Sequence, residues 1–193
     1  MDTPNLSQLA EQGVLFTQAF CTAPQCSPSR GSVLTGMLPH RQGLIGLAHR
    51  GFRLRPSVPL LPRMLAETGY STHLFGTQHE THWQRSQELG YRYEHLGGNR
   101  SCEELTPAVI EFLASGPAQP FFAYIAQFET HRPYPQLPPA RERVAVPPYL
   151  PDAEEVQQDV AELNAPVRLV DASIGQVVSA LKQHGLWDNT VFL

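Results

Sequence analysis

The chain has 193 residues, 41% hydrophobic and 17% charged, enough for one domain with a sizeable buried core. A formal net charge of -4, with no lysine and arginine run, excludes the electrostatic footprint of a nucleic-acid or anionic-membrane binder. No apolar run approaches the roughly 20 residues that span a bilayer, and the opening "MDTPNLSQLAEQG" lacks the charged and apolar regions of a signal peptide, so the sequence names no compartment.

In chain order, Thr3 and Pro4 predict the cap and first residue of a short helix over "PNLSQLAEQ", stopped by Gly13, and "VLFTQAF" then reads as a strand. The next stretch, "CTAPQCSPSRGSVLTG", holds two of the cysteines. Cys21, Cys26 and Cys102 form an odd set without a CxxC pair, which argues against a disulfide framework or a cysteine zinc site. Cys21 and Cys102 read as small buried hydrophobes. Cys26 differs. If the residues from Ser27 to Gly36 are helical, Cys26 lies at the helix N-terminus with Arg30 one turn on along the same face. The unpaired N–H groups and the positive end of the dipole favour an anion there, and Pro28 is tolerated because the first turn has no bond to lose. A cysteine-dependent phosphatase is one reading, but that chemistry wants five residues between cysteine and arginine, and neither Cys21 nor Cys26 has that spacing.

Beyond the cysteines, "MLPHRQGLIGLAHRGFRLRP" reads as a loop-rich segment, "PRMLAETG" as a helix and "YSTHLFG" as a strand. Thr106 and Pro107 open a helix over "PAVIEFLASG", and "PFFAYIAQF" suits a strand buried on both faces. The proline-rich segment from Thr130 to Pro151 reads as a long ordered loop or lid. Asp152 then caps a helical stretch with a possible break at Pro166, whose Leu169, Ile174, Val177, Val178 and Leu181 share a face; Gly185 stops it and "NTVFL" opens a strand. Strands alternating with helices argue for an α/β fold with a mostly parallel sheet. In such sheets ligands bind beyond the carboxyl ends of strands, where "CTAPQCSPSR", "GTQHETH" and "FETHRPY" all fall.

"CSPSRGSVLTG" resembles the signature of the type I sulfatases, in which Cys-x-Pro-Ser-Arg directs oxidation of the cysteine to formylglycine. The resemblance runs in family order through "TPNLSQLAEQGVLFTQAF", "LPHRQG", "LAETGYSTHLFG", "PFFAYIAQFETHRPY" and "VDASIGQVVSALKQHGLWDNTVFL". It leans towards the N-sulfoglucosamine sulfohydrolase branch and its bacterial relatives, within the alkaline-phosphatase-like superfamily. The resemblance implies a sulfuric ester or sulfamate hydrolase acting on a sulfated small molecule or glycan. Its nucleophile would be the formylglycine hydrate made from Cys26 by a maturating enzyme, with calcium as metal cofactor. Arg30 would hold the hydrate, His79 in "GTQHE" would assist at it, and His131 in "FETHRPY" would contact the sulfate and protonate the leaving group. His40 is an even choice between site and surface, His73 and His82 read as structural or exposed, and the acids Glu80 and Glu129 as members of solvated loops.

The sequence also departs from the family. Thr77 stands where most sulfatases have a lysine, and Gln78 beside it offers substrate-binding hydrogen bonds but no charge. Calcium wants six or more oxygen ligands. The family supplies an Asp pair from a strand preceding the present start and an Asp with Asn or His beyond "TVFL"; here Asp2, Asp152, Asp159, Asp171 and Asp188 are scattered, leaving Cys26, as formylglycine, the one assigned metal ligand. Residues 1–193 are therefore expected to be the N-terminal part of a sulfatase catalytic domain, without its first strand and C-terminal part, inactive and free of calcium on its own. The competing expectations are a phosphodiesterase or phosphonate monoester hydrolase of the same superfamily, and a non-catalytic truncated product.

Overall fold

A computed structural model describes residues 2–82, 85–98, 100–135 and 144–193. They fall into two compact units: residues 16–100 with 116–126, and residues 1–15 with 101–115 and 127–193.

The first unit carries the sheet. Strand β1 (Ser71–Gly76) lies between β2 (Tyr93–His95) and β3 (Phe121–Ala126), parallel to both, with Phe75 opposite His95 on one side and Ile125 on the other. β1 reads as a buried central strand, and β3, an edge of this sheet, is mostly half-buried rather than covered on both faces. Helix α2 (Cys26–Thr35), the short α3 (Pro39–Gln42) and α4 (Leu61–Glu67) precede the sheet in sequence. The core joins Leu34 of α2 to Leu60, Leu74, Leu89 and Tyr91, with Leu54, Phe122 and Tyr124 packed against it. Burial of these side chains at about 25 cal/mol per Å² is what holds the unit together. His73 is buried within β1, its Nδ1 3.0 Å from His95 Nε2 and its Nε2 2.6 Å from Ser71 Oγ. Burial first, and the neighbouring His95 second, lower its pKa to about 4, so at neutral pH it is an uncharged part of the sheet, as its structural reading anticipates.

The second unit is helical: α1 (Pro4–Gln12), α5 (Cys102–Ala114) and α6 (Glu154–Gln183). Thr3 makes no side-chain cap on α1. The Asp171 carboxylate of α6 does that work, accepting the backbone N–H groups of Asn5 at 3.2 Å and Leu6 at 2.8 Å and the Asn5 side chain at 2.7 Å. Gly175, one turn further along α6, allows this approach, since a Cβ there would overlap the Asn5 carboxamide. Helix α5 starts at Cys102, five residues before Pro107, the expected first residue. Glu104 reaches back to the Ser101 N–H at 3.4 Å, and Pro107 is accommodated inside the helix.

Four further expectations need correction. The run from residue 14 to 20 forms no strand; Val14, Leu15, Phe16 and Phe20 are exposed, and the described sheet offers that run no ladder to join. Residues 190–193 likewise form no strand. Helix α6 runs unbroken through Pro166, which is buried, as are Asn164 and Ala165 before it, so packing offsets the lost hydrogen bond. Its buried stripe includes Val177, Val178 and Leu181 but leaves Leu169 exposed. Part of the proline-rich loop, residues 136–143, lies outside the described residues; those on either side form no helix or strand up to Glu154. Among the described residues no helix is long and apolar enough to cross a membrane.

Candidate active site

Cys26 is the first residue of α2, after an extended Gln25 at φ -122° and ψ 146°. This places its side chain beside the unpaired N–H groups of the first helical turn. Ser27 and Pro28 are both buried and tie this end of α2 to the following loop. Ser27 Oγ accepts the Ala48 N–H at 3.1 Å, and the Pro28 carbonyl accepts Gln42 Nε2 at 3.2 Å. Gln42 lies so close that a Cβ at Gly31 would sit 2.7 Å from its Nε2. The small residue in the signature is thus needed for packing.

The loop after β1 supplies the partner. Cys26 Sγ lies 3.0 Å from His79 Nδ1, and His79 Nε2 lies 3.1 Å from His49 Nδ1. The His79 N–H donates to Glu80 Oε2 at 2.7 Å. Glu80 is 1% exposed, so the expectation of a solvated carboxylate is wrong; the carboxylate faces inward, with Oε1 unpaired. Gln78 is also buried. Its Nε2 donates to the His82 carbonyl at 3.1 Å and its Oε1 accepts the Glu80 and Thr81 N–H groups, both at 3.1 Å, so the carboxamide shapes the loop from within. His82 itself is exposed, in accord with its reading.

Arg30 is held from two sides. One terminal nitrogen donates to Tyr124 Oη at 3.2 Å and the other to the Thr77 carbonyl at 3.3 Å, with the guanidinium 5.6 Å from the Tyr124 ring centroid. Burial raises the Tyr124 pKa against the opposing pull of Arg30, and burial with the nearby Glu80 raises that of Tyr91 further. Both phenols therefore stay neutral.

The structure thus brings Cys26, Arg30, His79 and Gln78 together in the sheet-bearing unit. His131 belongs to the helical unit. It is exposed, its ring stacks on Phe128 with centroids 4.4 Å apart, and its Nδ1 lies 2.6 Å from the Arg132 carbonyl. A carbonyl can only accept, so Nδ1 carries the proton and Nε2 is the nitrogen left for other chemistry. Glu129, expected in a solvated loop, is buried and accepts the Cys102 N–H at the start of α5. Cys102 is buried as expected, and burial together with the Glu129 carboxylate pushes its thiol pKa up to about 12, which makes it inert. Cys21, expected to be buried, is exposed. His40 is exposed, and its backbone carbonyl accepts the Arg55 guanidinium at 3.4 Å.

His49 was not legible as a site residue, since nothing in "LAHRGF" marks it. The signal was indirect: a histidine in the loop-rich segment between the signature helix and the helix before β1.

No group of three or more His, Cys, Asp or Glu that could hold a metal ion occurs among the described residues. Asp171 is spent on α1, Asp159 on Arg132, and Asp152 accepts Gln157 Nε2 at 2.5 Å. The described residues do not by themselves supply a calcium site. They do fit a formylglycine at residue 26, which needs a position at a helix N-terminus with a cation and a base beside it.

The parallel sheet flanked by helices is also the fold of solved structures that this chain resembles. Ps i-CgsB, solved in complex with k-i-k-neocarrahexaose, superposes with a TM-score of 0.69 at 24% identity, covering 97% of this chain and 51% of that one. The phosphonate monoester hydrolase of Agrobacterium radiobacter does so at 0.68 and 19%, covering 98% and 56%. The Sulfatase family model matches residues 1–193, and the chain belongs to the sulfatase family. The human N-sulphoglucosamine sulphohydrolase is 28% identical over 225 aligned positions, which cover 99% of this chain and 44% of that protein. The chain thus spans about half the length of these relatives. Family membership generally implies a formylglycine and a metal ion.

Proposed function

We propose that the whole protein hydrolyses sulfate esters or sulfamates of a sulfated sugar, with a nucleophile made from Cys26 by a sulfatase-maturating enzyme. The observation that carries this reading is Cys26 at the first position of α2, one turn before Arg30 and 3.0 Å from a histidine nitrogen. When formed, the formylglycine supplies an aldehyde hydrate whose oxygen attacks sulfur. His79 holds or accepts a proton at Nδ1. Arg30 places a fixed positive charge beside the reacting oxygens, and its planar fork, held by Tyr124 and Thr77, keeps the charge from swinging away. Gln78, assigned to the substrate by sequence, acts by shaping the loop that carries His79. His131 offers Nε2 to the sulfate or leaving group. Since Nδ1 already holds a proton, the ring donates from Nε2 only as the cation. Calcium is the proposed ion, and of the described residues only Cys26, as formylglycine, is assigned to it.

The similarity to N-sulphoglucosamine sulphohydrolase favours an N- or O-sulfated amino sugar over a phosphate diester or phosphonate. Matched sulfate, sulfamate, phosphate and phosphonate substrates offered to the whole protein test this. Turnover of the sulfated substrates should lead and should vanish in Cys26→Ala. Preference for the phosphorus substrates, or turnover surviving in Cys26→Ala, would refute the reading.

A further inference from the structure

We infer that His49 is a positioning residue for His79, accepting the His79 Nε2 proton and thereby turning the lone pair of Nδ1 towards the side chain of residue 26. Its use in catalysis rests on the reading proposed above; the hydrogen-bond polarity does not.

Three ring and side-chain atoms stand in series. Sγ of Cys26 is 3.0 Å from Nδ1 of His79, and Nε2 of the same ring is 3.1 Å from Nδ1 of His49. The two ring planes lie 13° apart with centroids 5.2 Å apart, so the nitrogens meet nearly edge to edge. A neutral imidazole carries one proton on one nitrogen. If His49 accepts from Nε2, Nδ1 has no proton and can receive one from a hydroxyl at residue 26. With the opposite polarity, Nδ1–H points at residue 26 and no base faces the nucleophile. A thiol or hydroxyl at residue 26 that donates to Nδ1 completes the first arrangement as one continuous chain of donors.

The side chain of His49 is exposed, and the turn that carries it is anchored. His49 is the second residue of the turn Ala48–Arg50, and that turn is fixed by the Ala48 N–H bond to Ser27 Oγ at 3.1 Å, inside the signature itself. Gln42, fully buried, binds the Pro28 carbonyl and accepts the Leu44 N–H at 3.3 Å, which anchors the approach to the turn. The backbone of His79 is pinned in turn by Glu80. Both rings are therefore presented from fixed backbone, as an oriented base requires.

The test uses nitrogen-15 histidine NMR on the 193-residue chain, with Cys26→Ser as the reference so that residue 26 carries a hydroxyl that does not ionise. His79 should be in the Nε2–H tautomer in the reference, a mixture of tautomers in the double variant with His49→Ala, and again the Nε2–H tautomer with His49→Gln, whose amide oxygen accepts. An Nδ1–H tautomer in the reference, or the same tautomer population after His49→Ala, would overturn the proposal. In the whole protein, His49→Ala should lower kcat about 10-fold or more at nearly unchanged KM, a part of the roughly 10²–10⁴-fold that a positioned base contributes, and added imidazole should restore part of it. Unchanged kcat would also overturn it. Failure of the sulfatase reading shows separately, as Cys26 left unconverted, and leaves the tautomer measurement to stand or fall alone.

Discussion

At the scale of single residues, the proposed mechanism depends on the difference between Arg30 and any other cation. The guanidinium spans the Tyr124 hydroxyl and the Thr77 carbonyl with its two terminal nitrogens, a reach that a lysine ammonium cannot reproduce. We expect Arg30→Lys in the whole protein to lose about 100-fold or more in kcat/KM despite the retained charge, the scale for removing a transition-state donor. Steady-state kinetics on an aryl sulfate checks it, and a variant within a few-fold of wild type would take Arg30 out of the mechanism. On the proposed mechanism Thr77 offers Arg30 its carbonyl and adds no charge of its own, where the resembled family has a lysine.

At the scale of elements, α1 is held on α6 by one carboxylate. Burial alone would raise the Asp171 pKa, but the Leu6 N–H and the side-chain and backbone donors of Asn5 outweigh it and hold it below the ordinary value. A carboxyl depressed in the folded state adds stability that is present above its unfolded pKa, about 3.9, and is lost as pH falls through the folded value. The helical unit should therefore lose stability progressively below about pH 4, and Asp171→Asn should flatten that acid limb while costing about 2 kcal/mol at neutral pH. Circular dichroism melts across pH decide the matter; an unchanged acid limb in the variant would show that Asp171 is not the group responsible. Elements of this kind also mark how far the sequence could be read. The helix at the cysteine signature, the helix before β1, and β1 and β3 were legible because Gly and Pro punctuate them and their apolar runs have the right length. The start of α5 was not, because Pro107 drew attention away from the Ser101 and Glu104 cap. Asp171 as a cap for α1 could not be seen at all, since it acts across 166 residues of sequence. Within the site, Cys26, Arg30 and His79 are carried by a contiguous motif or a strand end. Ser27, Gln42 and His49 form their part through tertiary hydrogen bonds that no spacing rule encodes.

At the scale of the whole molecule, the chain combines a sheet-bearing unit that contains Cys26 and a helical unit that contains His131. The family assignment covers all of it, and about half of the length of its relatives. The account as a whole stands on Cys26 being the residue that is chemically converted, in preference to the buried Cys102 and the exposed Cys21. Mass spectrometry of the three cysteine peptides, after expression alongside a formylglycine-generating enzyme, tests that most directly. The predicted result is loss of the thiol and gain of the aldehyde and its hydrate in the Cys26 peptide alone, abolished by Arg30→Ala or Pro28→Ala in "CSPSR". An unmodified thiol at Cys26 under conditions that convert a control sulfatase would contradict the account.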